Sequence, residues 1–142
     1  MRPFTRTLSC AALVFFLVGR TPAQPNLPVP QPSPLASVSQ TIGISKVDIS
    51  YHRPAIKGRK VWGELIPLGE VWRAGANENT VLASTSAFTV GGTPLPAGRY
   101  GVFMIPGRDR WTIALSRQAN AWGAFSYDPA EDAVRFSVTP AP

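Results

Sequence analysis

Residues 99–115, RYGVFMIPGRDRWTIAL, contain two apolar runs that are separated by the polar segment PGRDR. Both runs are rich in aromatic and β-branched residues, which is the composition of β-strands. The Pro-Gly pair between them favours a reversal of the chain. These residues therefore predict a β-hairpin, and a hairpin implies an antiparallel sheet.

Further strand signals lie on both sides of this hairpin. Val47, Ile49 and Tyr51 alternate with polar residues, which predicts a strand with one buried face. The preceding residues predict its hairpin partner, with the connecting turn near Gly43. The Gly91-Gly92 pair predicts a second tight turn. The sequence thus predicts an all-β fold, an antiparallel β-sandwich or small barrel of about six strands with one long loop. The predicted strands are residues 37–44, 47–51, 81–85, 87–90, 99–105, 111–115 and 133–138, and only residues 61–66 and 129–133 have a pattern that would allow a helical turn.

The first 34 residues are predicted to lie outside the folded domain. Residues 1–23 combine Arg2 and Arg6 with an apolar run and small residues, the layout of a secretory signal peptide. The apolar run, residues 11–18, is shorter than the roughly 20 residues that span a bilayer, so a retained membrane anchor is the weaker alternative. Residues 24–34 are rich in proline and predict an extended linker. We therefore expect an exported protein, periplasmic or extracellular, whose β-domain occupies residues 35–142.

The counts of charged and metal-binding residues exclude several classes of function. One His and one Cys cannot form a His-rich zinc or copper site, a four-Cys metal site or a disulfide framework, so no metal or cofactor is predicted. Cleavage of the signal peptide would remove Arg2, Arg6 and Arg20, which reduces 14 basic residues to 11 against 8 acids and the net charge from +6 to +3. This mild excess favours anionic ligands and argues against nucleic acid as a partner.

The candidate functional segment is the polar stretch 51–80, YHRPAIKGRKVWGELIPLGEVWRAGANENT. A loop of this length in a compact domain is usually either functional or disordered, and its tryptophans and leucines argue against disorder. Its side chains offer a guanidinium fork for anions, amides for orientation and indoles for stacking. The residues predicted to bind a ligand are His52, Arg53, Lys57, Arg59, Trp72, Arg73, Asn77 and Glu78.

Three hypotheses for this segment stay open. In the first, a non-enzymatic domain binds a small polar or anionic ligand, such as a glycan or a component of the cell envelope, through Arg73 and an indole of Trp72 or Trp62. In the second, the protein is a hydrolase with His52 as the base and Glu78 or Glu64 as the acid. In the third, the domain is purely structural, and Arg73 pairs with a glutamate of its own loop, Glu78 or Glu70.

Four long motifs together resemble one known family. They are SYHRPAIKGRKVWGELIPLGEVWRAGANENT (50–80), FTVGGTPLPAGRYGVFMIPG (88–107), WTIALS (111–116) and NAWGAFSYDPAEDAVRFSV (120–138). They resemble the bacterial secreted domain-of-unknown-function family numbered twenty-nine eleven. The resemblance implies an exported domain without an established activity or catalytic residue. Similar proteins usually continue past the last strand, so the resemblance also implies a C-terminally truncated member.

Overall fold

The computed structural model describes residues 29–141, which form eight β-strands and one short 3-10 helix. The predicted signal peptide and residues 24–28 of the predicted linker lie outside the described residues. Within residues 29–141, no helix has the length and apolar character needed to cross a membrane. The strands are β1 (Leu35–Ile42), β2 (Ser45–His52), β3 (Thr80–Ser84), β4 (Phe88–Val90), β5 (Thr93–Leu95), β6 (Gly98–Ile105), β7 (Trp111–Ser116) and β8 (Asp132–Val138), and the 3-10 helix is Pro129–Glu131.

Six of the strands form one antiparallel sheet in the order β1-β2-β3-β6-β7-β8, and β4 pairs with β5 in a separate hairpin. The outer strands β1 and β8 do not pair with each other, so the sheet is not closed into a barrel. The β4-β5 hairpin packs against one face of the sheet, where Phe88 lies edge-on to Tyr100 at 5.8 Å between ring centroids. The predicted all-β antiparallel fold is confirmed, with the layered arrangement of a sandwich.

The main hydrophobic core lies between the sheet and this hairpin. Tyr100 and Val102 of β6, Leu115 of β7 and Val134 of β8 share one face of the sheet and are buried together with Leu95 of β5. Full burial of an apolar side chain of this size stabilises a fold by about 1.5–3 kcal/mol. These residues therefore hold the small hairpin against the central strands.

The opposite face of the sheet is covered by the chain between β7 and β8. Phe103 of β6 is fully buried there, and its ring lies 4.8 Å from that of Tyr127. The Tyr127 hydroxyl donates a hydrogen bond to the Asp132 carboxylate, and the Arg135 guanidinium donates to both of them. These three hydrogen bonds hold residues 117–131 against the start of β8.

The predicted strands are confirmed, with differences at their boundaries. The turns at Gly43 and at Gly91-Gly92 lie where they were expected, and these glycines have positive φ angles. Strand β5 was missed because Pro94 stands at its centre, and proline lacks the N–H that strand pairing normally uses. Residues 61–66 form turns rather than a helix, whereas Pro129–Glu131 does form a helical turn, capped by the Asp128 side chain.

Gly101 is required where the covering segment approaches β6. A Cβ atom at this position would overlap the Gln118 carbonyl oxygen and the Asn79 side-chain amide. We expect Gly101→Ala to lower the free energy of unfolding by about 3 kcal/mol, because the Gln118 backbone has to move. Urea denaturation measures this loss. The matched control is Gly92→Ala, where the added methyl meets no atom within 4 Å and the left-handed backbone alone costs about 1 kcal/mol. Equal losses in the two variants would contradict the close approach.

Tyr127 gives the fold a dependence on alkaline pH. Burial, followed by the neighbouring Asp132 carboxylate, raises the pKa of Tyr127 above its usual value of 10.0. A group whose pKa is raised in the folded state stabilises the fold below its unfolded pKa, and this contribution is lost as the pH rises through the folded pKa. We expect Tyr127→Phe to be less stable than the wild type at pH 8, and the difference to shrink above pH 10. A difference that stays constant with pH would exclude this role.

Candidate functional site

An open cleft of about 760 Å³ lies along the chain that follows β2. Its walls come from the end of the linker at Pro32 and Ser33, from parts of the loop 54–66, and from parts of the segment 72–76. Its size falls within the roughly 300–1,000 Å³ that is typical of small-molecule sites. The cleft is therefore the candidate binding site among the described residues.

The loop that forms the outer wall is held by its own hydrogen bonds. The Arg59 guanidinium donates to the carbonyl oxygens of Ala55 and Ile56 at 2.7 and 3.0 Å. These bonds close the turn in which Lys57 and Gly58 both have positive φ angles, 50° and 71°. Arg59 therefore lines the cleft, but part of its hydrogen-bonding capacity is used to shape the loop.

Two tryptophans, Trp62 and Trp72, line the cleft, and Trp111 supports Trp62 from outside it. Trp62 lies edge-on to Trp72 and to Trp111, with ring centroids 5.4 and 4.5 Å away. The backbone of Trp72 exchanges two hydrogen bonds of 2.8 Å with Met104 of β6, and its indole N–H donates to the Gly75 carbonyl oxygen at 3.1 Å. These bonds fix Trp72, and with it the aromatic cluster, to β6 of the six-stranded sheet.

Arg73 is the most unusual polar residue of the cleft. Its Nε atom is buried and has no hydrogen-bond partner among the described residues. Within residues 29–141, no carboxylate lies close enough to Arg73 to form an ion pair, so neither expected pair, with Glu70 or with Glu78, is present. An unsatisfied buried donor costs about 1–3 kcal/mol, and more when it is charged. Arg73 therefore brings to the cleft a positive charge that no described carboxylate neutralises.

The electrostatic character of the cleft is positive. Lys57, Arg59 and Arg73 line it, and none of its described lining residues is Asp or Glu. The nearby pair Lys60–Glu64, with 3.0 Å between Nζ and Oε1, belongs to the loop but does not line the cleft. Three cations without a neutralising carboxylate attract anions from solution.

His52 and Glu78 lie together but outside the cleft. The distance between His52 Nδ1 and Glu78 Oε2 is 3.5 Å, and the His52 side chain is 15% exposed while that of Glu78 is 63% exposed. Neither residue lines the cleft. Successive residues of a strand point to opposite faces of a sheet, so His52 and its neighbour Tyr51 lie on different sides of β2.

The predicted site residues are therefore divided. Lys57, Arg59, Trp72 and Arg73 meet at the cleft, and His52 and Glu78 form a separate pair. Arg53 and Asn77 belong to neither group. The backbone N–H of Arg53 donates to the Pro34 carbonyl oxygen at 3.0 Å and so holds the end of the linker. The backbone carbonyl oxygen of Asn77 accepts from the Gly123 N–H at 3.1 Å.

The sequence reasoning missed three residues that form or support the cleft. Trp111 supports Trp62 but belongs to β7, a strand that is distant in sequence from the loop. Pro32 and Ser33 line the cleft although they lie in the segment that was predicted to be a linker. Strand pairing brings these residues to the loop: the register of β6 with β7 places Trp111, and the β1-β2 hairpin, in which Leu35 is opposite His52, places Pro32 and Ser33.

Residues 29–141 contain no group of three or more His, Cys, Asp and Glu side chains that could hold a metal ion. In the comparison with protein families, residues 33–142 match the family described as "Protein of unknown function (DUF2911)". The match spans well over half of the chain. No curated protein and no solved structure is significantly similar to the chain.

Proposed function

The chain belongs to the DUF2911 family, whose description assigns no activity, and we propose from the cleft itself that the protein is a non-enzymatic domain that binds a small anionic ligand. The N-terminal sequence supports export, so the ligand would be met in the periplasm or outside the cell. A component of the cell envelope that carries a phosphate or carboxylate group would suit such a site.

The observation that carries this proposal is a cleft lined by the three cations Lys57, Arg59 and Arg73 and by no Asp or Glu among the described residues. A guanidinium presents N–H donors in a rigid fork that matches carboxylate and phosphate oxygens. An anion in the cleft that accepts hydrogen bonds from the Arg73 guanidinium would compensate a charge that no described carboxylate neutralises. Lys57 would add a second positive charge to the same site.

An anionic ligand suits this cleft better than an uncharged glycan. Sugar hydroxyl groups both donate and accept hydrogen bonds, so their sites need acceptors as well as donors. The charged side chains that line the cleft are all donors, and Ser33 supplies the only side-chain hydroxyl among the described lining residues. A glycan would therefore have to bind through an acidic substituent.

Inorganic phosphate is the simplest probe of the anion site. We expect Arg73→Ala to weaken phosphate binding by about tenfold or more, because a hydrogen bond to a charged group is worth about 1.5–3 kcal/mol. Arg73→Lys, which keeps the charge but loses the fork, is expected to weaken binding by less. Chemical-shift titration by NMR measures both affinities.

Arg108→Ala is the matched control, because Arg108 is an exposed arginine in the β6-β7 turn and does not line the cleft. Its substitution also removes one positive charge, so a general effect of net charge would appear in both variants. If the wild type does not bind phosphate, or if Arg108→Ala weakens binding as much as Arg73→Ala, the anion site is refuted. A purely structural envelope domain would then be the better interpretation.

The pair of His52 and Glu78 favours a hydrolase as the second candidate. A carboxylate beside an imidazole nitrogen can orient the ring for general base catalysis, and the 3.5 Å separation allows the pair to tighten when a substrate binds. If the protein hydrolyses a p-nitrophenyl ester or phosphate, this candidate predicts that His52→Ala abolishes turnover and that Glu78→Gln reduces it. Turnover that persists in His52→Ala would exclude the pair as the catalytic group.

A further inference from the structure

The cleft that carries the cations is also rich in apolar side chains. Besides the two indoles, four branched aliphatic residues contribute to its walls: Ile56, Val61, Leu65 and Ile66. A site for a bare inorganic anion does not need such walls, because hydrated anions bind to polar surfaces at least as well. The apolar walls therefore require an explanation of their own.

Several of these side chains remain in contact with solvent. Ile56 is 61% exposed, Leu65 is 46% exposed and Trp62 is 44% exposed. Single exposed apolar residues are normal on protein surfaces, but these three surround one cleft and adjoin its cations. Their burial by a ligand would contribute about 25 cal/mol for each Å² of apolar surface removed from water.

We propose that the ligand of this cleft is an amphipathic anion: a phosphate or carboxylate group joined to an aliphatic body, an inference that rests on the anion-binding function proposed above. The charged group binds at Arg73 and Lys57, and the aliphatic body lies along Ile56, Leu65 and Trp62. A single molecule occupies the cleft, because the cations and the apolar residues line one concave site.

Charge complementarity and apolar area make separate contributions to this binding. The anionic group is attracted by the Arg73 guanidinium, and salt weakens this attraction. The aliphatic body contributes up to about 0.8 kcal/mol for each buried methylene, and this contribution is insensitive to salt. Because the cleft is open, only part of the body is removed from water. Affinity should therefore rise with chain length and stop rising once the cleft is filled.

The test compares inorganic phosphate, butyl phosphate, octyl phosphate and octanol, each below its micelle concentration, by calorimetry and by tryptophan fluorescence. We expect octyl phosphate to bind at least tenfold more tightly than inorganic phosphate, with butyl phosphate between them. Octanol, which has the body without the charge, should bind at least tenfold more weakly than octyl phosphate.

Two isoleucine variants separate the cleft from general surface effects. Ile56→Ser is expected to weaken the binding of octyl phosphate about fivefold and that of inorganic phosphate much less, because the lost side chain packs against the aliphatic body. Ile44→Ser is the matched control, since Ile44 is 100% exposed in the β1-β2 turn and does not line the cleft. Leu65→Ser should repeat the effect of Ile56→Ser. An equal response of Ile44→Ser and Ile56→Ser would overturn the proposal.

The possible failures are distinguishable. Equal affinity for inorganic phosphate and octyl phosphate, lost in Arg73→Ala, would overturn the amphipathic ligand and leave the anion site intact. Equal affinity for octanol and octyl phosphate would overturn the anion site as well. Binding to vesicles that contain phosphatidic acid, without binding of monomeric octyl phosphate, would also overturn the proposal, because the ligand would then be a membrane surface.

Discussion

The cleft depends on an interruption in the backbone pairing along β6. Trp72 pairs with Met104, and Thr80 pairs with Val102. Phe103 alone separates the two partners on β6, whereas residues 73–79 separate Trp72 from Thr80. Seven residues therefore oppose one, and the longer chain has to leave the plane of the sheet. Its first half reaches the cleft, and its second half reaches the segment that covers the opposite face.

The excursion formed by residues 73–79 is held by hydrogen bonds from the two residues that flank it, Trp72 and Thr80. The Trp72 indole N–H donates to Gly75 at 3.1 Å, and the Thr80 hydroxyl donates to the Ala74 carbonyl at 2.8 Å. A Cβ atom on Gly75 would lie 3.1 Å from the His52 carbonyl oxygen, so residues 73–79 also pack closely against β2. The backbone that carries Arg73 is thus positioned before any ligand arrives, which lowers the entropic cost of binding.

Local patterns predicted the hairpins and the cationic loop, but not the division of the site. His52 ends β2, whereas the cleft residues that follow this strand begin at Pro54, and no sequence pattern distinguishes the two positions. The support of Trp62 by Trp111 was beyond local reasoning, because it requires the register of β6 with β7. Of the predicted residues on this continuous segment, Lys57, Arg59 and Arg73 line one cleft because the segment folds back on itself.

Alternation predicts which residues share a face of a sheet, but not how deeply they are buried. Val38 of β1 and Ile49 of β2 are direct partners on the face that carries the main core, yet they are 57% and 36% exposed. The β4-β5 hairpin packs over Tyr100 and Phe136, and the described core cluster does not extend to β1. Burial on this face therefore follows the reach of the covering hairpin. The same reasoning applies to the cleft, where apolar residues stay exposed because no described element covers them.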